Sequence, residues 1–376
     1  MLYKQLISGI AAFCVCFMLS GLVFAGEKEN KEQSNELEIS VWDKTGINSL
    51  RPVTGGVPLS QGVAPEGTSF ILYDEYNKPV PSQTSVLARW KDGSARWVLL
   101  DFQSGPSVNR KAHYQLSWGE EVKKVQPKVK VRVQAREKPS VKSGKVEVST
   151  VEDAIFRISN RFDIGLTLTD NKGKTCRGIV ESADIETIGE MRSTLVLSGA
   201  FRTDDGARIF GFRMRASVFA GLSKVFLEPQ ILIDAEQDMM QHIRGLNLEI
   251  TPLNTINTAA VGGSPGWSGK PTSDLRLFQV DDENYRFEGA EGEGTKAPGW
   301  AEMDDGKGVI AVALKDFWQQ WPKSLEVDSK SLKIGLFPEF QEGAFEHMEP
   351  WYKYQYLFED NFYRLRQGQA PRWQIW

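Results

Sequence analysis

With 376 residues, 41% hydrophobic and 11% aromatic, the chain can bury a full core, and its length suggests about two domains. The formal net charge of −4 gives no footprint for nucleic acid as a partner. Removing residues 1–25, whose one charged side chain is Lys4, takes the charge to −4 − 1 = −5, so a processed chain is read the same way.

At the N-terminus, Lys4 precedes an uncharged apolar run from Leu6 to Ala25, followed by the polar GEKENKEQSNE. The pattern reads as an export signal over 1–25, cleaved after Ala25, and places the chain in the periplasm or outside the cell with no membrane association after cleavage. The length of the run keeps an uncleaved anchor as the alternative. Lipid attachment is disfavoured because Phe13 and Val15 stand before Cys14 and Cys16. Cleavage leaves Cys176 alone, so no internal disulfide is expected. Residues 26–37 read as a disordered, charged lead-in.

From there the pattern is strand after strand. LEISVW (37–42), TSFILYD (68–74), HYQLSW (113–118) and VKVRVQ (129–134) are β-rich runs, and TSVLARW (84–90) and ARWVLLDF (95–102) form a hairpin around Lys91-Asp92-Gly93-Ser94. Trp90 and Trp97 flank that turn and are expected in the core. Residues 38–135 therefore make one compact β module, and REKPSVKSG (136–144) is the linker candidate. Residues 145–376 make a second, larger unit with longer strands at 191–202, 207–221 and 223–234. In the second of these, Phe210, Phe212, Met214 and Ala216 alternate with Ile209, Gly211, Arg213 and Arg215, which predicts one buried and one wet face of a sandwich. AEQDMMQHIR (235–244) is the most arguable helix, and VGGSPGWSGKP (261–271) is too rich in Gly, Ser and Pro for a strand and reads as a loop of the kind that borders binding sites. The fold class is all-β.

The blocks GGVPLSQGV (55–63), VPSQTSVLARWKDGSARWVLLDF (80–102), IRGLNLEI (243–250), GWAEMDDGKGVIAVALKDFWQQWPKSLEVD (299–328) and LKIGLFPE (332–339), with the strands from 191 to 234, occur in a telling order. That order resembles the β portion of the exo-rhamnogalacturonan lyase-like proteins, polysaccharide lyase family 26. The resemblance implies a small RIFT-type β-barrel followed by a larger antiparallel β-sandwich. In the family an α/α toroid comes next, whereas this sequence closes on YRLRQGQAPRWQIW (363–376) without helical hairpins. A short two-domain form, a split protein with a separate helical toroid chain as partner, and a truncated frame are the readings this leaves. The implied chemistry is β-elimination at a uronic acid, in which a cation neutralises the carboxylate, a base takes the C5 proton and an acid meets the leaving oxygen. No catalytic residue is carried over from the family.

The residues themselves offer few candidates for that chemistry. His113, His242 and His347 are the three histidines, too far apart in sequence for a local pair, so no metal site or cofactor is expected. His113 reads as a partly exposed strand residue and His242, beside Arg244, as structural, while His347 lies among acids, a Lys and aromatics in EHMEPWYKYQY (346–356) and is a candidate. KDFWQQWPK (315–323) is the densest sugar-like stretch. Trp318 and Trp321 offer faces for pyranose stacking and Lys315 a hold on a carboxylate, the alternative being that the indoles plug an edge of the sandwich. Arg89 and Arg96, bracketing the hairpin turn, have forked donors for a uronate, the alternative being solvent or a cross-strand acid. DDEN (281–284) and MDDGKG (303–308) read as turns before they read as calcium loops. Phosphate loops, Rossmann glycines, GxSxG elbows and CxxC pairs are lacking in the mature chain. Two functions remain: an exported polysaccharide lyase-like protein acting on acidic polysaccharide or oligosaccharide, and a non-catalytic carbohydrate-binding module.

Overall fold

The computed structural model describes residues 35–42, 49–105, 111–119, 124–235, 238–272, 275–345, 348 and 358–376; the export signal read over 1–25 lies outside them. Among the described residues every regular element is a strand, as the all-β reading requires.

The first module holds β1 (Glu36–Trp42), β2 (Arg51–Pro58), β3 (Ser69–Asp74), β4 (Pro79–Val80), β5 (Ser82–Arg89), β6 (Ala95–Ser104) and β7 (Lys111–Gly119). They pair as two antiparallel sheets, β1-β7-β3-β4 and β2-β6-β5. Both sheets point their alternate residues inward: Val98, Leu100 and Phe102 from one meet Leu72, Leu116 and Trp118 from the other in a core of their own. The Trp118 indole donates to Val63 O at 2.8 Å and the Tyr114 hydroxyl to Ser104 Oγ at 2.9 Å, so the polar atoms carried in with this core are satisfied. The β5–β6 turn forms where Gly93 and Asp92 predict it. Gly93 has φ +85°, and Asp92 Oδ1 accepts from Ser94 N at 3.0 Å and Ser94 Oγ at 2.6 Å, bonds that hold its carboxyl below the usual range. The tryptophans beside this turn depart from expectation. Trp90 is half-buried, with its indole donating to Leu59 O at 3.0 Å, and Trp97 is exposed against Gly56, because the inward positions of β6 belong to Ala95, Val98, Leu100 and Phe102.

The second unit begins with β8 (Arg132–Gln134), β9 (Ser140–Ser143), β10 (Val146–Ser149), β11 (Phe156–Ile158), β12 (Phe162–Asp170), β13 (Thr175–Thr187), β14 (Arg192–Arg202), β15 (Arg208–Phe219), β16 (Val225–Leu232) and β17 (Met240–Pro252). It continues with β18 (Thr258–Val261), β19 (Trp267–Gly269), β20 (Arg276–Gln279), β21 (Asn284–Glu288), β22 (Glu293–Thr295), β23 (Trp300–Asp304), β24 (Val309–Ala313), β25 (Lys323–Val327), β26 (Leu332–Phe337), β27 (Phe358–Glu359) and β28 (Phe362–Arg366). One arm of the ladder runs β13-β14-β15-β16, the other β12-β17-β26-β25-β20-β21, and further pairings close the ladder on itself. Both arms feed one core: Phe210, Phe212 and Met214 from β15 lie with Leu166 from β12 and Leu246 and Leu248 from β17. Each buried Phe or Met there contributes about 1.5–3 kcal/mol.

Three local expectations are revised. The helix expected at 235–244 is entered by β17, because Ile243 is needed in the core and its backbone pairs with Tyr363 across β28. The Gly/Pro loop at 261–271 carries the short edge strand β19, paired to β18 through Val261 and Trp267. The stretch read as a linker, 136–144, carries β9, which pairs on either side with β8 and β10.

Residues 369–376 run extended alongside β16, bridged to it without forming a regular strand. Ile375 exchanges hydrogen bonds with Leu227 at 2.8 and 2.9 Å, and Trp373 N donates to Pro229 O at 3.0 Å, so this segment runs antiparallel to β16. On its other side Lys315 N donates to Gln374 O at 2.9 Å and Leu314 bridges to Ile375. The small sheet β19-β18-β23-β24 is thereby continued into the β16 arm.

Candidate functional site

Register now decides which side chains share a surface. Residues directly opposite in an antiparallel ladder point to the same face. Trp300 lies opposite Ala313, Ala313 opposite Trp376, and Trp376 opposite Phe226, giving one row across β23, β24, the C-terminal segment and β16. Ile375 and Trp373 face the core from the same segment, which is why Trp376, Gln374 and Arg372 face out. Trp300 is 40% and Trp376 41% exposed, with the small Ala313 between them. Two strand spacings set them roughly 10 Å apart, about the length of a disaccharide. The Trp376 ring also lies 4.6 Å from that of Phe226 and stacks on Phe219 at 5.7 Å, so its orientation is fixed. Trp300 is fixed by Gly262, where a Cβ would come within 2.3 Å of the indole nitrogen.

The next two rows are polar. Lys315 Nζ donates to Gln374 Oε1 at 3.1 Å, and the row continues through Glu228 to Arg215. Beyond it Arg372 lies opposite Gln230, and Gln230 opposite Arg213. Arg215 is taken up by Glu186 through two contacts of 2.7 Å; the hydrogen bond from Arg215 holds the Glu186 carboxyl below its usual range. Arg372 stands 3.7 Å from Glu228, and Arg213 is exposed with no hydrogen-bond or ion-pair partner among the described residues. Solvated ammonium and guanidinium groups thus flank the aromatic row. The same face runs on to Ser217 and Thr194, buried residues joined by a 2.8 Å hydrogen bond, where the first module docks. There Arg192 binds Asp101 of β6 through Nε at 2.6 Å, and Gln83 of β5 accepts from Met191 N and Arg192 N at 3.1 and 3.0 Å. The exposed face therefore ends at the junction of the two modules, a favoured location for ligand sites.

Of the residues singled out in the sequence, Lys315 stands on this face. Trp318 and Trp321 leave it because the chain turns back after Leu314. Asp316 takes a left-handed φ of +56°, Gln320 N donates to Asp316 O at 3.0 Å, and Phe317 is driven into the core against Gly299. Trp318 is half-buried beneath Lys296, whose ammonium lies 5.0 Å from the ring centroid. Trp321 joins an aromatic cluster with Phe345 and Phe358 at 6.5 and 6.1 Å. Arg89 folds back onto its own turn, donating to Gly93 O at 2.8 Å with Glu66 at 3.7 Å, and Arg96 lies over the Trp90 ring at 4.8 Å. His347 lies outside the described residues. Among the other histidines, His113 Nδ1 is 2.8 Å from Glu38 Oε1 and the His242 ring packs on Phe362. The residues that sequence reasoning missed are Trp300, Trp376, Arg372 and Arg213. The alternation in RWQIW (372–376) carried a signal for two of them, but not for the partner strands.

Residues 36–118 match the family model described as the PcRGLX-like N-terminal RIFT barrel domain. The matched span covers β1 through β7, so the first module is the RIFT barrel that the resemblance to rhamnogalacturonan lyase-like proteins implies. No curated protein matches the chain.

Proposed function

We propose that this protein engages an acidic, uronate-bearing polysaccharide along the outer face that runs from Trp300 to the module junction, as part of exported polysaccharide processing. The observation that carries this reading is the row Trp300–Ala313–Trp376 with Lys315, Arg372 and Arg213 beside it. Indole faces pack on the C–H faces of pyranose rings, and the flanking cations neutralise carboxylates at high dielectric, where they keep ligands in register more than they add affinity. The RIFT barrel supports the same reading, since it ties the chain to rhamnogalacturonan lyase-like proteins.

The elimination step needs a base beside C5 of the bound uronate. On this face the ionisable groups are lysine, arginines and carboxylates, and the Lys315 ammonium, bound to Gln374, suits carboxylate neutralisation better than proton abstraction. We therefore assign binding and charge neutralisation to the β portion, and the base to a partner surface, for which a separate helical toroid chain is the proposed source. The test pairs two readouts on rhamnogalacturonan oligosaccharides, affinity electrophoresis and ultraviolet absorbance of the unsaturated uronate product. Retardation without a rise in absorbance is expected for this chain alone; a rise would move the base onto it, and no retardation would remove the binding role.

A further inference from the structure

On the opposite arm of the ladder lies a cleft of about 340 Å³, with Arg244, Arg276 and Arg286 in its walls. Its three guanidinium groups are not equivalent. Arg276 is held by acidic residues: it binds Glu288 at 3.0 Å, approaches Glu326 at 3.2 Å and donates to Glu339 O at 2.6 Å. Arg286 shares Glu288 at 3.1 Å, and the two arginines cover the Phe278 ring at 4.5 and 5.2 Å. Glu339 accepts from Thr169 Oγ1 at 2.6 Å. Arg244 has no acid or carbonyl partner among the described residues, and its Nε is buried without a hydrogen bond. Its Nη1 lies over the β12–β13 turn, 3.4 Å from the position a Cβ would take at Gly173, where the absence of a side chain leaves it room.

A half-buried guanidinium without a carboxylate partner leaves its forked donors open to a ligand's carboxylate. The carboxylates of Glu288 and Glu326 are engaged by Arg276 and Arg286, whereas none contacts the Arg244 guanidinium among the described residues. The volume lies in the range of ligand pockets. Phe340 lines the cleft, and the amides of Gln341 and Asn361 offer donors and acceptors suited to hydroxyls.

We propose that this cleft is a second saccharide site, taking a single carboxylated sugar unit with its carboxylate forked onto Arg244. This inference rests on the uronate reading of the ligand but not on the outer face, from which it is a separate surface. The probe is digalacturonate, titrated calorimetrically into the whole chain, with neutral galactobiose and inorganic phosphate as comparison ligands. Wild type should bind digalacturonate in preference to both. Arg244→Gln should weaken it by about tenfold or more, and Arg244→Lys should recover part of the loss, since it restores charge without the fork. Thermal melts of both variants show whether the fold is retained, and Asn361→Ala, which leaves the arginines intact, should weaken digalacturonate to a lesser degree. Unchanged affinity in Arg244→Gln, or equal binding of galactobiose, would overturn the proposal, and tighter binding of phosphate would replace the sugar with a plain oxyanion. Polymer retardation by the outer face is read in the same variants. Its persistence in Arg244→Gln separates failure of the cleft from failure of the polysaccharide reading.

Discussion

Ala313 and Trp376 exchange both backbone hydrogen bonds, Ala313 N to Trp376 O at 2.9 Å and Trp376 N to Ala313 O at 3.0 Å. That pair converts two separate ladders into one surface, because Trp376 is at the same time opposite Phe226 on β16. The aromatic row exists only through this contact. Trp376→Ala should therefore do two things: destabilise by about 0.5–1.5 kcal/mol for each lost ring contact, and weaken retardation on an acidic polysaccharide gel. Urea unfolding and affinity electrophoresis of one preparation check both.

Gly262 sets the position of Trp300 from below. A methyl group there would come within 2.3 Å of the indole nitrogen, so Gly262→Ala must push the ring off its seat. Polysaccharide affinity should fall toward that of Trp300→Ala, while Gly56→Ala, where a Cβ stands 3.6 Å from the Trp97 ring, should leave it unchanged.

The Arg192–Asp101 pair is buried at the module junction, with side chains 13% and 3% exposed. Asp101 also accepts from Thr54 Oγ1 at 2.6 Å. Removing one partner of such a pair strands the other charge. Asp101→Ala should cost about 3–5 kcal/mol, read as a lowered urea midpoint, whereas Lys142→Ala at the exposed pair with Glu147 should cost no more than about 1 kcal/mol.

Lys323 is 3% exposed, and its Nζ donates to Pro322 O at 3.0 Å and to Gln320 O, with no carboxylate partner among the described residues. Burial lowers its ammonium to about 7 from 10.5. A group depressed on folding is deprotonated in the native state while still protonated in the unfolded chain between those two values, so stability rises with pH across that window. The penalty is full below pH about 7. Thermal melts of wild type and Lys323→Met should converge in pH response outside the window and diverge within it, with wild type gaining stability as pH increases.

The β5–β6 hairpin of the first module was legible because its strands are paired across a short turn that Asp92 and Gly93 announce, whereas β1 pairs with the distant β7. The wet and dry faces of β15 were legible too, since period-two alternation reads directly as burial: Phe210, Phe212 and Met214 are fully buried while Arg213 is exposed. Long-range pairing was not legible. Nothing local to RWQIW states that it will lie between β16 and Leu314, and only that placement brings Trp376 to Trp300 and Arg372 to Arg213. The dense KDFWQQWPK stretch misled for a related reason: closeness in sequence is not closeness on a surface once Asp316 turns the chain, and Trp318 and Trp321 take different partners. The polar and Gly-rich character of 235–244 and 261–271 likewise gave way to backbone pairing that the rest of the ladder imposes.

Affinity electrophoresis of the whole chain through rhamnogalacturonan, across a salt series and beside Lys315→Ala/Arg372→Ala, tests the central claim most directly. The account predicts retardation that weakens as salt screens the exposed cations and that is reduced in the double variant, with both proteins melting at the same temperature. Equal mobility of wild type with and without polysaccharide, or equal retardation of the double variant, would contradict it.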